Sequence, residues 1–337
     1  MSTTMSTTES SVTAVIGQAV QAAVRAPSPH NTQPWRFAVG ARQIDVWLDR
    51  GRVLTVVDPD AREARMACGA AVLNLQLTVH AAGFASRLDL LPDRERPDLL
   101  ATLRLSGPRP ATPEQQALAA AIERRTTNRR PFIERAVPLP APQALLHAAD
   151  AEGARLVLLE RPSELGEFDG LLRRADHAQG EDPAFQAELR DWVAEHADRE
   201  DGVPRSAGGP RPSVGSVLTL RRYHGDQSGK SPVEQPYEQD PLVAVLASYG
   251  DTAADQLGAG MALQRVLLAA TGHGLSVSFV SQPTEVPATR AALRELIGGQ
   301  LYPQAGLRLG YGHPVLPTPR RTVEAVTTAL PSAGGSP

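Results

Sequence analysis

The chain has 337 residues, 42% apolar and 21% charged, so it can bury one large core or two fused ones and is no disordered polymer. Its net charge of -3 gives no general electrostatic ground for binding nucleic acid, and no run approaches the roughly 18 apolar residues that a membrane span needs. A single cysteine, Cys68, excludes internal disulfides and cysteine zinc clusters.

In chain order, residues 1–11 are rich in Ser and Thr and lack the basic and apolar regions of a secretory signal, so a disordered tail of a cytoplasmic protein is expected. Residues 12–25 place Val12, Val15, Ile16, Ala19, Val20 and Ala23 on one helical stripe. The stretch APSPHNTQPWRF at 26–37 follows. Pro27 and Pro29 stiffen it, and Ser28, His30, Asn31 and Gln33 crowd it with hydrogen-bonding groups. Those amides suit either the edge of a planar heterocycle or the nearby backbone of a helix-to-strand turn.

Short β-like runs come next at 35–39, 43–48 and 53–57. A long helix is predicted over 59–82, with Asp58 as cap, Gly83 as stop and Cys68 as a buried structural thiol in its apolar middle. Strands at 85–91 and 99–105 complete a first half, 12–110, and the Pro-rich stretch 107–113 reads as a connector to a second, 111–337.

The second half predicts helices at 114–125, 141–151, 163–178 and 184–197, with a strand at 154–159. Residues 198–240 are rich in Gly, Pro, Ser and charge, regular only over 214–222, and read as a lid-like insertion or a surface excursion. Strand 241–248, helix 252–271, strand 275–280, helix 286–297 and strand 302–309 follow. Gly69, Ala70, Ala81 and Gly83 fall on Gly258, Ala259, Ala270 and Gly272 at one offset, which together with the element order suggests a duplicated α+β unit. The halves differ chemically. Only the first carries the 26–37 motif, whereas the second opens with ERRTTNRRPF at 123–132, carries SQPTE at 281–285 and ends near Arg320 and Arg321. That arginine cluster suits an anion or, equally, a solvated helix end. No HExxH, GxGxxG at a strand-helix junction or GxxxxGK[ST] motif occurs, so neither a metal site nor a common nucleotide fold is indicated.

The APSPHNTQPWRF motif, the arginine cluster, the SQPTE segment and the terminal PRR resemble the Acg-type branch of the nitroreductase superfamily over most of 12–325. The resemblance implies a nitroreductase-like α+β fold, duplicated into a single-chain pseudo-dimer of two mixed sheets with long central helices. It also implies FMN as cofactor, NAD(P)H as donor and a small electron-poor acceptor, with the chain a monomer or a weak homodimer. Carried over, Arg124, Arg125, Thr126, Arg320 and Arg321 would hold the flavin phosphate. Pro27, Ser28, His30, Asn31 and Gln33 would line the ring, and Gln282, Pro283 and Glu285 would approach its reactive edge. The cluster is one residue longer than the family's pattern, so Arg129 and Arg130 compete for the same role. Two other outcomes stay open: an FMN store with a covered flavin, and a structural homologue that binds none.

Overall fold

Alternating apolar patterns in both halves produce two sheets of the same strand order in the computed structural model, which describes residues 2–194, 199–213, 215–221, 223 and 234–330. The elements of the first half are α1 (Ser2–Ala23), β1 (Trp35–Val39), β2 (Gln43–Leu48), α2 (Arg62–Ala81), β3 (Phe84–Leu90) and β4 (Leu99–Pro108). Then come α3 (Pro113–Ala121), α4 (Pro140–Asp150), β5 (Arg155–Leu159), α5 (Pro162–Glu181) and α6 (Pro183–Trp192). Among the described residues beyond α6 come the two-residue strands β6 (Val193–Ala194), β7 (Val203–Pro204), β8 (Arg211–Pro212) and β9 (Glu234–Gln235), with a 3-10 turn at Arg205–Ala207. The chain closes with β10 (Leu242–Ser248), α7 (Ala253–Gly272), β11 (Ser276–Phe279), α8 (Gln282–Glu285), α9 (Pro287–Leu296), β12 (Tyr302–Gly310), α10 (Val323–Val326) and β13 (Thr327–Ala329).

The first sheet runs β13-β1-β2-β4-β3 and the second β11-β12-β10-β5. Matching β5, β10, β12 and β11 to β1, β2, β4 and β3 gives the same order in both, with α2 and α7 in equivalent crossovers. The duplication is therefore written in the topology. The first sheet is mixed because β13 joins β1 in parallel, and the four strands of the second are antiparallel, with a parallel bridge from Thr127 to Val277 on its edge. The last strand thus returns to the first half's sheet and carries the segment before it across the junction.

Some expectations change in detail. Helix α1 begins at Ser2, so residues 2–11 belong to a helix where a disordered tail is expected. Asp58 does cap α2, but from outside it: its carboxylate accepts from Glu63 N at 3.0 Å and Ala64 N at 2.8 Å, while Ala61 sits at φ 56° as the first flanking residue. Residues 53–57 form a turn rather than a strand. Their apolar side chains, Leu54 and Val57, pack on Phe185 and Leu189 of α6, and Glu188 accepts from Val56 N and Val57 N at 3.0 Å each. No helix or strand occurs over the described part of 214–222. No helix among the described residues is long and apolar enough to cross a membrane.

Helix α2 packs on the first sheet, α7 on the second, and the two pack on each other. Small residues permit that contact: a Cβ on Gly69 would lie 2.1 Å from Leu257 O, and one on Gly260 2.0 Å from Met66 O. Gly258, the sequence counterpart of Gly69, meets nothing within 4 Å, so the contact is not strictly symmetric. Next to it a buried amide pair, Gln264 Nε2 to Asn74 Oδ1 at 2.8 Å, fixes the relative position of the helices. Gly260→Ala should cost about 1–3 kcal/mol through overpacking. Urea denaturation would read this, and Gly258→Ala should show no such loss.

Candidate functional site

The 26–37 motif folds into a strained turn. His30, Asn31 and Gln33 lie at φ 45°, 58° and 53°, a region that L residues other than Asn and Asp seldom occupy. Such strain persists only where contacts over-determine it. Here Ser28 Oγ accepts from Gln33 N at 2.9 Å. Asn31 Nδ2 donates to Gly202 O and Pro319 O at 3.0 Å each, and Gln33 Nε2 donates to Glu200 O at 2.8 Å. Gln33 Oε1 accepts from Arg321 N at 2.8 Å. Asn31, through Nδ2, and Gln33 therefore clamp the base of the 198–240 segment and the C-terminal arm, while Asn31 Oδ1 is buried with no partner.

That arm brings Arg320 beside Arg125. Together with Arg25, Thr126, Thr127 and Thr318, they enclose a small cavity. None of Arg25, Arg125 and Arg320 meets a carboxylate among the described residues. Arg125 is 7% exposed, and its Nε and Nη1 have no partner; Arg320 Nε is likewise buried and unpartnered. Burial, then repulsion from Arg25 and Arg129, pushes Arg125 down to about 10. Burial, then repulsion from Arg125 and Arg25, pushes Arg320 to about 9. Three cations held together with no carboxylate among the described residues have the chemistry to receive an anion. Arg124, by contrast, is exposed and bonds weakly to Ala120 O at 3.4 Å, and Arg321 turns to Ala325 O at 2.8 Å.

A second cavity, with an empty volume of about 610 Å³, lies between the halves. Pro27, Ser28 and His30 line it from the first half, Glu63 and Met66 from α2, and Phe279, Ser281 and Glu285 from the second half. Pro283 and Gln282 are buried in the adjoining turn, with Gln282 Nε2 3.5 Å from Thr219 O. Arg129 lies in its wall, and its guanidinium stacks 4.8 Å from the ring centroid of Tyr223.

Arg221 and Tyr223, both from the 198–240 segment, also line this cavity. Arg221 pairs with Glu285, the two side chains being 10% and 3% exposed, and Gln179 Nε2 donates to the same carboxylate at 2.6 Å. Arg221 Nη1 lies 3.1 Å from His30 Nε2. Arginine can only donate, so Nε2 accepts and the imidazole is neutral. Burial, reinforced by Arg221, lowers His30 to about 3. Burial alone would raise Glu285, but Arg221 overrides it and holds the carboxyl below its ordinary range. Glu63, also buried and near Glu285 and Asp58, is pushed up to about 8 although Arg62 lies 2.7 Å away.

The structure thus gathers Pro27, Ser28, His30 and Glu285 around one cavity and Arg125, Thr126 and Arg320 around another. Asn31, Gln33 and Gln282 support the walls, while the side chains of Arg124 and Arg321 lie outside both. Arg25, Glu63 and Arg221 were not expected. Arg25 stands just before the 26–37 motif and outside it, and Arg221 lies in a segment whose composition and length suggested a lid-like insertion without singling out a residue.

No family model matches the chain. It is 33% identical over 314 residues to a Mycobacterium tuberculosis (strain ATCC 25618 / H37Rv) protein named "Putative NAD(P)H nitroreductase Rv3131", covering 90% of this chain and 88% of that one. It is 30% identical over 333 residues to "Putative NAD(P)H nitroreductase acg" of the same strain, covering 97% of both. Among solved structures, an FMN-bound nitroreductase from Bacteroides fragilis aligns with a TM-score of 0.37 at 15% identity, over 65% of this chain and 97% of its own. Likeness of that degree assigns neither site nor ligand.

Proposed function

This chain belongs to the NAD(P)H nitroreductase family, and we propose that it binds one FMN between its halves and passes electrons from NAD(P)H to a small electron-poor acceptor, a nitroaromatic or a quinone. The observation that carries the reading is the group of guanidinium ions at Arg25, Arg125 and Arg320, with no carboxylate partner among the described residues and with bare nitrogens on Arg125 and Arg320, which fits a phosphate dianion at the edge of a larger cavity. In this reading Arg125 and Arg320, with the hydroxyl of Thr126, hold the phosphate. Pro27, Ser28 and His30 flank the ring from one half, and the turn of Gln282, Pro283 and Glu285 faces it from the other. The flavin supplies the electron chemistry when bound. The chain orients it and excludes water, and it needs no nucleophile. Because both halves contribute, a monomer suffices for the site.

Arg221 and Tyr223 in the cavity wall favour a second reading, in which the segment covers the flavin and the protein stores it with little turnover. Anaerobic stopped-flow mixing of the FMN-loaded protein with NADPH and with NADH separates the two. Loss of the oxidised-flavin absorbance with either donor is the expected result, and its absence with both would defeat the reductase reading in favour of storage. A protein that stays colourless with excess FMN would defeat both.

A further inference from the structure

The cavity of Arg25, Arg125 and Arg320 does not end at their guanidinium groups. Thr127, Pro317 and Thr318 are shared with an outer, partly open cavity. Arg129, Arg130 and Ser206 line this outer space, and Arg130 and Ser206 are shared again with a third pocket that Arg205 enters. No carboxylate lines the outer cavity or the third pocket among the described residues. At its mouth are Pro204, Val315 and Leu316, and Leu316 is 89% exposed, an apolar side chain for which the fold itself offers no cover. The inner group of arginines is thus continued by a second run of cations and hydroxyls, with apolar side chains in the same lining. A lone phosphate uses only the first part of that succession.

We propose that the outer cavity is a second anion site, contiguous with the inner one, that takes the adenylate end of a dinucleotide. Its arginines would meet the second phosphate, and Leu316 with Pro204 would cover one face of the purine. The adenylate could arrive on a flavin dinucleotide, whose first phosphate would occupy the inner site, or on the nicotinamide donor. The inference rests on the reading of Arg125 and Arg320 as phosphate ligands.

The test uses the full chain, flavin-free and FMN-loaded, with Arg130→Ala and Leu316→Glu as variants, since both side chains are exposed and outside the flavin cavity. Flavin fluorescence gives the Kd of FMN and FAD, and calorimetry gives that of ADP-ribose. If the adenylate belongs to the flavin, FAD binds more tightly than FMN and each variant weakens FAD about tenfold while leaving FMN unchanged. If it belongs to the donor, FAD gains nothing over FMN, and each variant weakens ADP-ribose about tenfold on the FMN-loaded protein. The proposal is overturned if neither variant moves FAD or ADP-ribose, or if FMN weakens in parallel. Should the wild-type chain bind no FMN, the inner-site reading fails, and variant-sensitive binding of ADP-ribose to the flavin-free protein would still uphold the outer site.

Discussion

Arg125→Met is expected to weaken FMN binding about a hundredfold and to make the flavin-free protein more stable. The two effects have one cause. Arg125 is 7% exposed, two of its nitrogens have no partner, and it faces Arg25 and Arg320 rather than a carboxylate. A charge-assisted hydrogen bond is worth about 1.5–3 kcal/mol, so losing a forked contact to a phosphate removes roughly two orders of magnitude in affinity. Without that phosphate the same charge is a liability. Burial lowers its pKa from the ordinary arginine value to about 10, so the folded protein holds the proton less tightly than the unfolded chain. The penalty is fully present below about pH 10 and is relieved as pH rises from there toward the ordinary arginine value. At neutral pH, methionine keeps the apolar stem and removes the charge, which should raise stability by about 1–3 kcal/mol. Thermal melts of the flavin-free protein and fluorescence titration with FMN read the two halves of the prediction. A variant that binds FMN normally, or that melts lower without it, would remove Arg125 from the phosphate site.

The paired halves were legible in the sequence because their long helices and alternating strands repeat in one order, and element bounds mostly agree within a few residues. Short or borrowed elements were not. Residues 53–57 have the apolar content of a strand, but Leu54 and Val57 are claimed by Phe185 and Leu189, which lie far away in the chain. Strand β13 has three residues and owes its existence to the free edge of β1, which no local pattern announces. In the candidate site, the resemblance pointed to stretches of sequence but could not choose between adjacent residues. Whether Arg124 or Arg125 turns inward depends on α3 ending at Ala121 and on the turn after it, where Arg125 N bonds Ala121 O at 3.0 Å. Ring contact by Asn31 and Gln33 was implied by the resemblance, while their local chemistry fitted a turn equally. Neither view included the C-terminal arm and the 198–240 segment, which take up Asn31 Nδ2 and the Gln33 amide and leave Asn31 Oδ1 without a partner.

The same segment supplies the second large effect. Arg221→Ala should release it from the cavity, because the substitution leaves Glu285 buried with Gln179 but without its counter-charge, a situation that costs about 3–5 kcal/mol. The structure can lower that cost by letting the segment lift and water reach the carboxylate. Expected results are faster limited proteolysis within 199–221, iodide quenching of bound flavin, and faster turnover if the cover limits access. Glu285→Gln should act in the same direction, and the double variant should be less disturbed than the sum of the singles. Acid should mimic the substitutions. The docked segment needs a neutral His30, whose pKa is about 3 there against an ordinary 6.5, so docking is at full strength above about pH 6.5 and weakens as pH falls toward 3. Through His30 the undocked fraction should rise as pH falls from 7.5 to 5, while Glu63, pushed up to about 8 beside the same cavity, takes up its proton over that range and works against the release, and Glu285, depressed by Arg221, contributes only at lower pH. Equal proteolysis rates in wild type and Arg221→Ala would mean that the ion pair is incidental and that the segment is held by its other contacts, among them Asn31, Gln33, the Arg52–Asp201 pair, Leu218 in the core and Thr219 N donating to Asp169 Oδ1 at 2.7 Å.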